Sequence, residues 1–108
     1  MNKFEAVLLI SPDTSNPQLK KELENFNSNL SNNNGVMIDK EDWGLRELKY
    51  NIGNFKKAFY NFFQIEIEGS KIENLKKNLQ QNDNVLRHLF IQVDRHQELP
   101  TKLNDEKK

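Results

Sequence analysis

The chain of 108 residues carries 16 basic and 16 acidic side chains and no cysteine. Its length suits one domain with a single hydrophobic core, and the lack of cysteine excludes disulfide frameworks and thiolate metal sites. The balanced charge argues against a protein that holds nucleic acid by net charge alone. The longest apolar run, residues 6–10, is far shorter than the ~20 residues of a membrane-spanning helix, so we expect a soluble, cytoplasmic protein.

Residues 1–35 predict a strand followed by a helix. Residues 3–10 alternate in part and carry apolar groups on both faces, which is typical of a central strand. Ser15 shortly before Pro17 favours a helix start. Gly35 is expected to end the helix in a left-handed conformation. The helix should present one apolar stripe made of Leu19, Leu23, Phe26 and Leu30.

Residues 36–52 can be interpreted as a helix or as a strand. Three apolar side chains in the second half have helical spacing, but Gly44 would lie inside that helix at a cost of about 1 kcal/mol. Leu48, Tyr50 and Ile52 alternate with polar residues, which is the period of a half-exposed strand. We therefore predict a long strand with a break or bulge near Gly44.

The remaining residues predict a hairpin loop over 53–57, a strand from 58, a helix over 70–79 and a last strand over 85–94. Ser70 and Glu73 have the spacing of a capping box at the helix start. Residues 96–108 are charged and nearly devoid of apolar groups, so we expect a disordered tail there. Residues 1–95 would then form the folded domain.

This order of strand, helix, strand, strand, helix, strand predicts an α+β fold. The four strands would form an antiparallel sheet with both helices on one face. Right-handed crossovers place the first and third strands in the middle of the sheet. The other sheet face would lack a covering helix.

The residues do not indicate catalysis. The four glycines are scattered and form no phosphate-binding loop. The two histidines, His88 in a strand and His96 in the expected tail, lack metal-ligand spacing, and no carboxylate pair has an apolar setting that would separate its pKa values. We therefore expect no enzyme activity, no small-molecule substrate, no cofactor and no metal.

The uncovered sheet face is the more informative feature. Val7, Leu9, Tyr60 and Phe62 should all lie on it. An exposed apolar patch of this kind usually marks a binding surface. The sequence therefore predicts a binding protein rather than an enzyme.

Several motifs, in order over residues 2–95, resemble the bacterial small-subunit ribosomal protein six family. The family signature is glycine, any residue, a basic residue, a polar residue, leucine, a small residue, tyrosine, any residue, isoleucine, and residues 44–52 read GLRELKYNI. The preceding EDWG, the KKAFY at residues 56–60 and the DNVLRHL at residues 83–89 are also similar to the family.

The resemblance implies a ferredoxin-like fold, no catalysis and a location on the ribosome. It also implies binding to the central domain of small-subunit ribosomal RNA (16S rRNA), as a heterodimer with small-subunit ribosomal protein eighteen. A neutral protein should bind RNA weakly alone, so a basic partner is expected. By resemblance, the residues that contact RNA or the partner are Lys3, Phe4, Arg46, Lys56, Lys57 and Arg87.

Two alternatives stay open at this point. An RNA-recognition motif has the same order of elements and stacks unpaired bases on aromatic side chains of its third strand. The stretch KAFYNFFQ is similar, although Ala58 and Asn61 replace a glycine and an aromatic residue of that motif. A small protein-interaction or ligand-sensing domain of the same fold is the second alternative.

Overall fold

The computed structural model describes residues 1–96, and over that range it contains four strands and two α-helices. A short 3₁₀ turn, Gly69–Lys71, leads into the second helix. The order of elements predicted from the sequence is confirmed. The strands are β1 (Asn2–Ile10), β2 (Val36–Ile52), β3 (Phe55–Ile67) and β4 (Val85–Val93), and the helices are α1 (Asn16–Asn32) and α2 (Ile72–Gln80).

The sheet is antiparallel throughout and has the strand order β2-β3-β1-β4. The first and third strands therefore lie in the middle, as predicted from the handedness of the crossovers. Both helices cover one face, which we call the helix-covered face. The other face, the open face, has no helix over it within residues 1–96. The ferredoxin-like α+β fold expected from the sequence is confirmed.

The hydrophobic core fills the space between the sheet and the helices. On β1 every second side chain is buried and its neighbours are not, as the alternating pattern requires. The rings of Phe26 on α1 and Phe63 on β3 lie 4.8 Å apart between centroids. The buried members of this core are Phe4, Ala6, Leu8, Ile10, Phe26, Leu30, Phe63, Ile65, Ile67, Ile72, Leu75 and Leu79.

Helix α1 begins as predicted and ends differently. The Ser15 hydroxyl accepts a hydrogen bond from the Gln18 N–H at 3.3 Å, which caps the first turn. At the other end Asn34, not Gly35, takes the left-handed conformation, with φ of +60°. Gly35 is needed for another reason. A Cβ on it would lie 2.4 Å from Cδ1 of the fully buried Leu30.

The predicted capping box at the second helix is wrong. The 3₁₀ turn precedes α2, so Lys71 rather than Ser70 occupies the N-cap position. Within the described residues no side chain caps this helix start. A backbone hydrogen bond takes the place of a side-chain cap. The N–H of Ile72 donates to the carbonyl of Gly69 and tightens the turn.

The predicted long strand with an irregularity near Gly44 is confirmed. Asp42 pairs with Asn61 and Gly44 pairs with Tyr60, so Trp43 is an extra residue between two successive pairs. This is a β-bulge, and Gly44 has the positive φ, +76°, that glycine tolerates. The Asp42 carboxylate accepts a hydrogen bond from the Gly44 N–H at 2.7 Å and holds the bend.

The loop between β2 and β3 is shorter than predicted. Ile52 pairs with Phe55, which leaves only Gly53 and Asn54 in the turn. Gly53 has φ of +57°, as tight two-residue hairpin turns require. Lys56 and Lys57, expected in the loop, are therefore strand residues on opposite faces of β3.

Two further observations concern the whole described chain. No helix within residues 1–96 is long and apolar enough to cross a membrane. His96, expected in the tail, is the last described residue and packs against the open face. Residues 97–108, where the rest of the tail was predicted, lie outside the described residues.

Candidate functional site

The open face carries an apolar patch that extends from β3 across β1 to β4. Val7 and Leu9 of β1 are opposite Leu89 and Arg87 of β4. Leu89 and Ile91 are more than half exposed, at 55% and 52%. Exposed side chains of this size are normal singly, but a contiguous group indicates a binding surface. We call this group the open-face patch; its members are Val7, Leu9, Tyr60, Leu89 and Ile91.

Phe62 was predicted to belong to this exposed group, and that prediction is wrong. Its side chain is only 3% exposed, although it lies on the open face. The indole of Trp43 covers it, with ring centroids 5.3 Å apart and planes within 9° of parallel. Tyr60 lies beside the same indole, at 6.3 Å between centroids. The bulge in β2 therefore supplies the partner that sequence reasoning did not find.

Arg46 contacts the indole of Trp43. It is opposite the buried Ala58, so it shares the open face with Tyr60. Its guanidinium carbon is 5.5 Å from the centroid of the Trp43 ring, which is a cation–π contact. Its Nε donates a hydrogen bond to the Trp43 carbonyl at 3.1 Å. The structure thus fixes the position of a basic side chain at the family signature.

Arg46 belongs to a basic segment formed by the end of the β2–β3 hairpin. Residues 45–58 contain four basic side chains and one acidic one, although the whole chain is neutral. We call this segment the basic hairpin. Lys56 and Lys57 are both exposed. Lys56 is an even number of residues from Ala58 and so shares the face of Arg46, whereas Lys57 is opposite Glu47 on the other face.

Two other predicted contact residues lie on the open face but on other strands. Arg87 is exposed on β4 opposite Leu9, at the border of the open-face patch. Lys3 is partly exposed on the open face, opposite Glu66 and Val93. The structure therefore places Arg46 and Lys56 on the same face of neighbouring strands, whereas Lys3 lies one strand and Arg87 two strands beyond the strand of Lys56.

Phe4 does not support the contact role predicted for it. Its side chain is 7% exposed and belongs to the core between the sheet and the helices. Even-numbered residues of β1 face the helices, so Phe4 is on the opposite side of the sheet from Lys3.

A polar cluster in the middle of the open face was not predicted. The Glu5 carboxylate accepts a hydrogen bond from Gln64 Nε2 at 3.2 Å and lies 3.7 Å from His96 Nδ1. Both ring nitrogens of His96 are buried, with no hydrogen-bond partner among the described residues. No local pattern indicated this contact, because His96 is surrounded by charged residues that resemble a tail.

His88, the other histidine, lies on the helix-covered face. It is opposite Leu8, and its ring is 5.9 Å from that of Phe90. Burial and the neighbouring Lys76 ammonium lower its pKa below the ordinary value. No group of three or more His, Asp or Glu residues within residues 1–96 is arranged to hold a metal ion.

Comparisons with known proteins give the family. The family model for ribosomal protein S6 matches residues 3–92. The chain belongs to the ribosomal protein S6 family. The family predicted from the sequence is confirmed, and the predicted location, the ribosome in the cytoplasm, is the location of that family.

Individual relatives agree with the family model. The small ribosomal subunit protein bS6 of Rickettsia rickettsii is 40% identical over 94 residues, which is 87% of this chain and 78% of that protein. The bS6 of Christiangramia forsetii is 33% identical over 96 residues, which is 89% of this chain and 86% of that protein.

A solved structure supports the fold independently. The crystal structure of 30S ribosomal protein S6 from Thermotoga maritima superposes with a TM-score of 0.82, covering 85% of this chain and 87% of that one. Sequence identity there is 16%, so this similarity shows the fold alone. The relatives are ribosomal proteins, and the site described above contains no constellation that resembles an active site.

Proposed function

We propose that this chain is a non-catalytic constituent of the small ribosomal subunit. It binds the central domain of small-subunit ribosomal RNA jointly with small-subunit ribosomal protein eighteen, as a heterodimer. The observation that carries the proposal is the separation of two surfaces on one neutral protein, the basic hairpin and the open-face patch. Each surface suits a different kind of partner.

The basic hairpin suits RNA. Residues 45–58 contain four basic residues and only one acidic residue. Because the whole chain is neutral, the remainder of the chain is net acidic. A local positive segment attracts phosphate groups, whereas the acidic remainder limits affinity for RNA elsewhere on the surface. Arg46 is the member whose position is fixed, and arginine is well suited to phosphate because its guanidinium can donate two parallel hydrogen bonds.

The open-face patch suits a protein partner. Leu89 and Ile91 are exposed and apolar, and Arg87 lies at their border. Apolar side chains with an arginine at the rim are the composition of a protein interface rather than of a phosphate-binding surface. Ribosomal protein eighteen would bind here and supply further basic groups, which explains how a neutral chain can take part in RNA binding.

The structure disfavours the alternative of an RNA-recognition motif. That motif needs aromatic side chains exposed on the central strands so that unpaired bases can stack on them. Phe62 is covered by Trp43 and is 3% exposed. Only the partly exposed Tyr60 remains on β3 to receive a base.

The test is a filter-binding titration of a central-domain RNA fragment with this chain, with and without ribosomal protein eighteen. We expect weak binding by the chain alone and an increase of about 5- to 150-fold with the partner, as coupled binding typically gives. Tight binding of any unpaired RNA by this chain alone, lost in Tyr60→Ala, would contradict the proposal.

The partner surface has a matched control. Ile91→Ser changes the open-face patch, and Ile38→Ser changes an isoleucine of similar exposure, 47%, on the distant strand β2. We expect Ile91→Ser to weaken heterodimer formation roughly tenfold and Ile38→Ser to leave it unchanged. Equal effects would show that the open-face patch is not the interface.

A further inference from the structure

We infer that Trp43 is the positioning residue for Arg46, and that it holds the guanidinium where it binds an RNA phosphate. The inference deepens the proposed function and rests on it. It goes beyond a general basic surface, because it assigns the RNA contact to one side chain and the placement of that side chain to a second one.

The bulge in β2 and the neighbours of Trp43 determine where its ring lies. As the extra residue of the bulge, Trp43 does not occupy a ladder position opposite β3. Its ring nevertheless lies flat on Phe62, and its Nε1–H donates to the Glu41 carboxylate at 2.6 Å. The indole is 7% exposed. Stacking on one side and a charge-assisted hydrogen bond at the edge leave this ring with a single orientation.

Arg46 is in turn held by Trp43. The cation–π contact at 5.5 Å and the hydrogen bond from Nε to the Trp43 carbonyl at 3.1 Å both join the arginine to Trp43. A free arginine side chain loses about 2 kcal/mol of rotamer entropy when a ligand immobilises it. Because Trp43 has already restricted Arg46, a ligand that binds the guanidinium meets a smaller entropic cost.

The surroundings of Arg46 suit a phosphate ligand. Arg46 and Lys56 share one face of the hairpin, and Lys49 and Lys57 lie within the same fourteen-residue segment. A preorganised guanidinium within a basic segment recognises a phosphodiester better than it recognises an apolar surface. Leu89 and Ile91, the most exposed members of the open-face patch, lie on β4, at the opposite edge of the sheet from Arg46. A partner bound to them does not need Arg46.

The test is a double-mutant cycle with Trp43→Leu, Arg46→Ala and the double variant, each titrated with the central-domain RNA fragment in the presence of ribosomal protein eighteen. We expect each single variant to weaken RNA binding roughly five- to tenfold, as the loss of one charged hydrogen-bonding contact would. We expect the double variant to be no weaker than Arg46→Ala, because both changes remove the same contact.

Salt dependence separates positioning from a purely structural role. Loss of one phosphate contact reduces the salt slope by about 1, and Trp43→Leu should reduce it as Arg46→Ala does. Trp43→Phe keeps an aromatic ring under the guanidinium and should restore most of the RNA affinity. A Trp43→Leu effect of equal size in the presence and absence of Arg46, with an unchanged slope, would overturn the inference.

Two controls make the outcomes distinguishable. Heterodimer formation without RNA should be unchanged in all variants, and a loss there would overturn the RNA assignment in favour of a partner contact. If the unaltered chain and its partner do not bind the RNA fragment together, the proposed function fails. If they bind but the cycle is additive, or Arg46→Ala has no effect, only the present inference fails.

Discussion

Phe62 and Phe63 are neighbours in the chain, are equally buried at 3% and 2% exposure, and are covered in different ways. Phe63 packs under helix α1 against Phe26, in the main core. Phe62 faces the other way and is covered by Trp43 from the adjacent strand. The two rings are therefore buried in different ways. A helix covers Phe63 on the helix-covered face, and the Trp43 indole covers Phe62 on the open face.

The difference determines what each face can do. A helix that covers a sheet buries many side chains at once and leaves no room for a partner. The indole that covers Phe62 leaves Leu89 and Ile91 exposed on the same face. The helix-covered face therefore accounts for most of the stability, and the surfaces proposed to bind RNA and the partner lie on the open face.

The largest expected effect is on the helix-covered face. Phe26→Ala should lower the free energy of unfolding by about 3–5 kcal/mol, because it removes a buried ring and leaves a cavity next to Phe63. Urea denaturation followed by circular dichroism measures it. A loss below about 1 kcal/mol would mean that α1 is not packed on the sheet.

Trp43→Ala should cost less, about 1.5–3 kcal/mol, which is the range for burial of one large apolar side chain. The site is at the surface, so water and neighbouring side chains can fill the space that the indole leaves. The same denaturation experiment measures it. A cost as large as that of Phe26→Ala would show that the open face has a core of its own, comparable to the one under the helices.

A smaller effect is expected on the pH dependence of stability, through His88 on the helix-covered face. The pKa of His88 is lowered in the folded protein, so the unfolded chain binds the proton more readily, and stability should fall as the pH decreases through the ordinary histidine value near 6.5. His88→Gln should flatten the dependence of the urea midpoint on pH between 5.5 and 7.5, a range set by that value. An unchanged dependence would contradict the assignment to His88.

The smallest effect is expected at the end of the chain. Removal of residues 97–108 should change the thermal midpoint very little, because this charged segment contains little apolar material that could pack. Partner or RNA affinity is where a change would appear. A shift of the midpoint by several degrees, measured by circular dichroism, would show that these residues stabilise the domain.

Periodicity was sufficient where a residue's environment depends on its own strand or helix. The alternation of residues 3–10 indicated a central strand, and the spacing of the α1 stripe predicted a face that packs on the sheet, where Phe26 and Leu30 are buried. The strand order followed from the handedness of the crossovers. The family followed from the signature at residues 44–52.

Prediction failed where two segments decide the outcome together. Phe62 was expected to be exposed because alternation cannot show that an extra residue in β2 folds its ring over β3. Gly35 was assigned a left-handed cap because its contact with Leu30 depends on the path of the chain after the helix. His96 contacts Glu5, more than ninety residues earlier, and no local pattern records such a pair.

The bulge at Trp43 has a consequence for insertions and deletions. Asp42 and Gly44 already pair with successive residues of β3, Asn61 and Tyr60. Deletion of Trp43 would therefore close the ladder without moving any other residue to the opposite face, whereas a deletion at a paired position would reverse the side chains beyond it. The strand can gain or lose this single residue without changing its pairing with β3, so Trp43, which we propose positions Arg46, occupies a place that the sheet does not require.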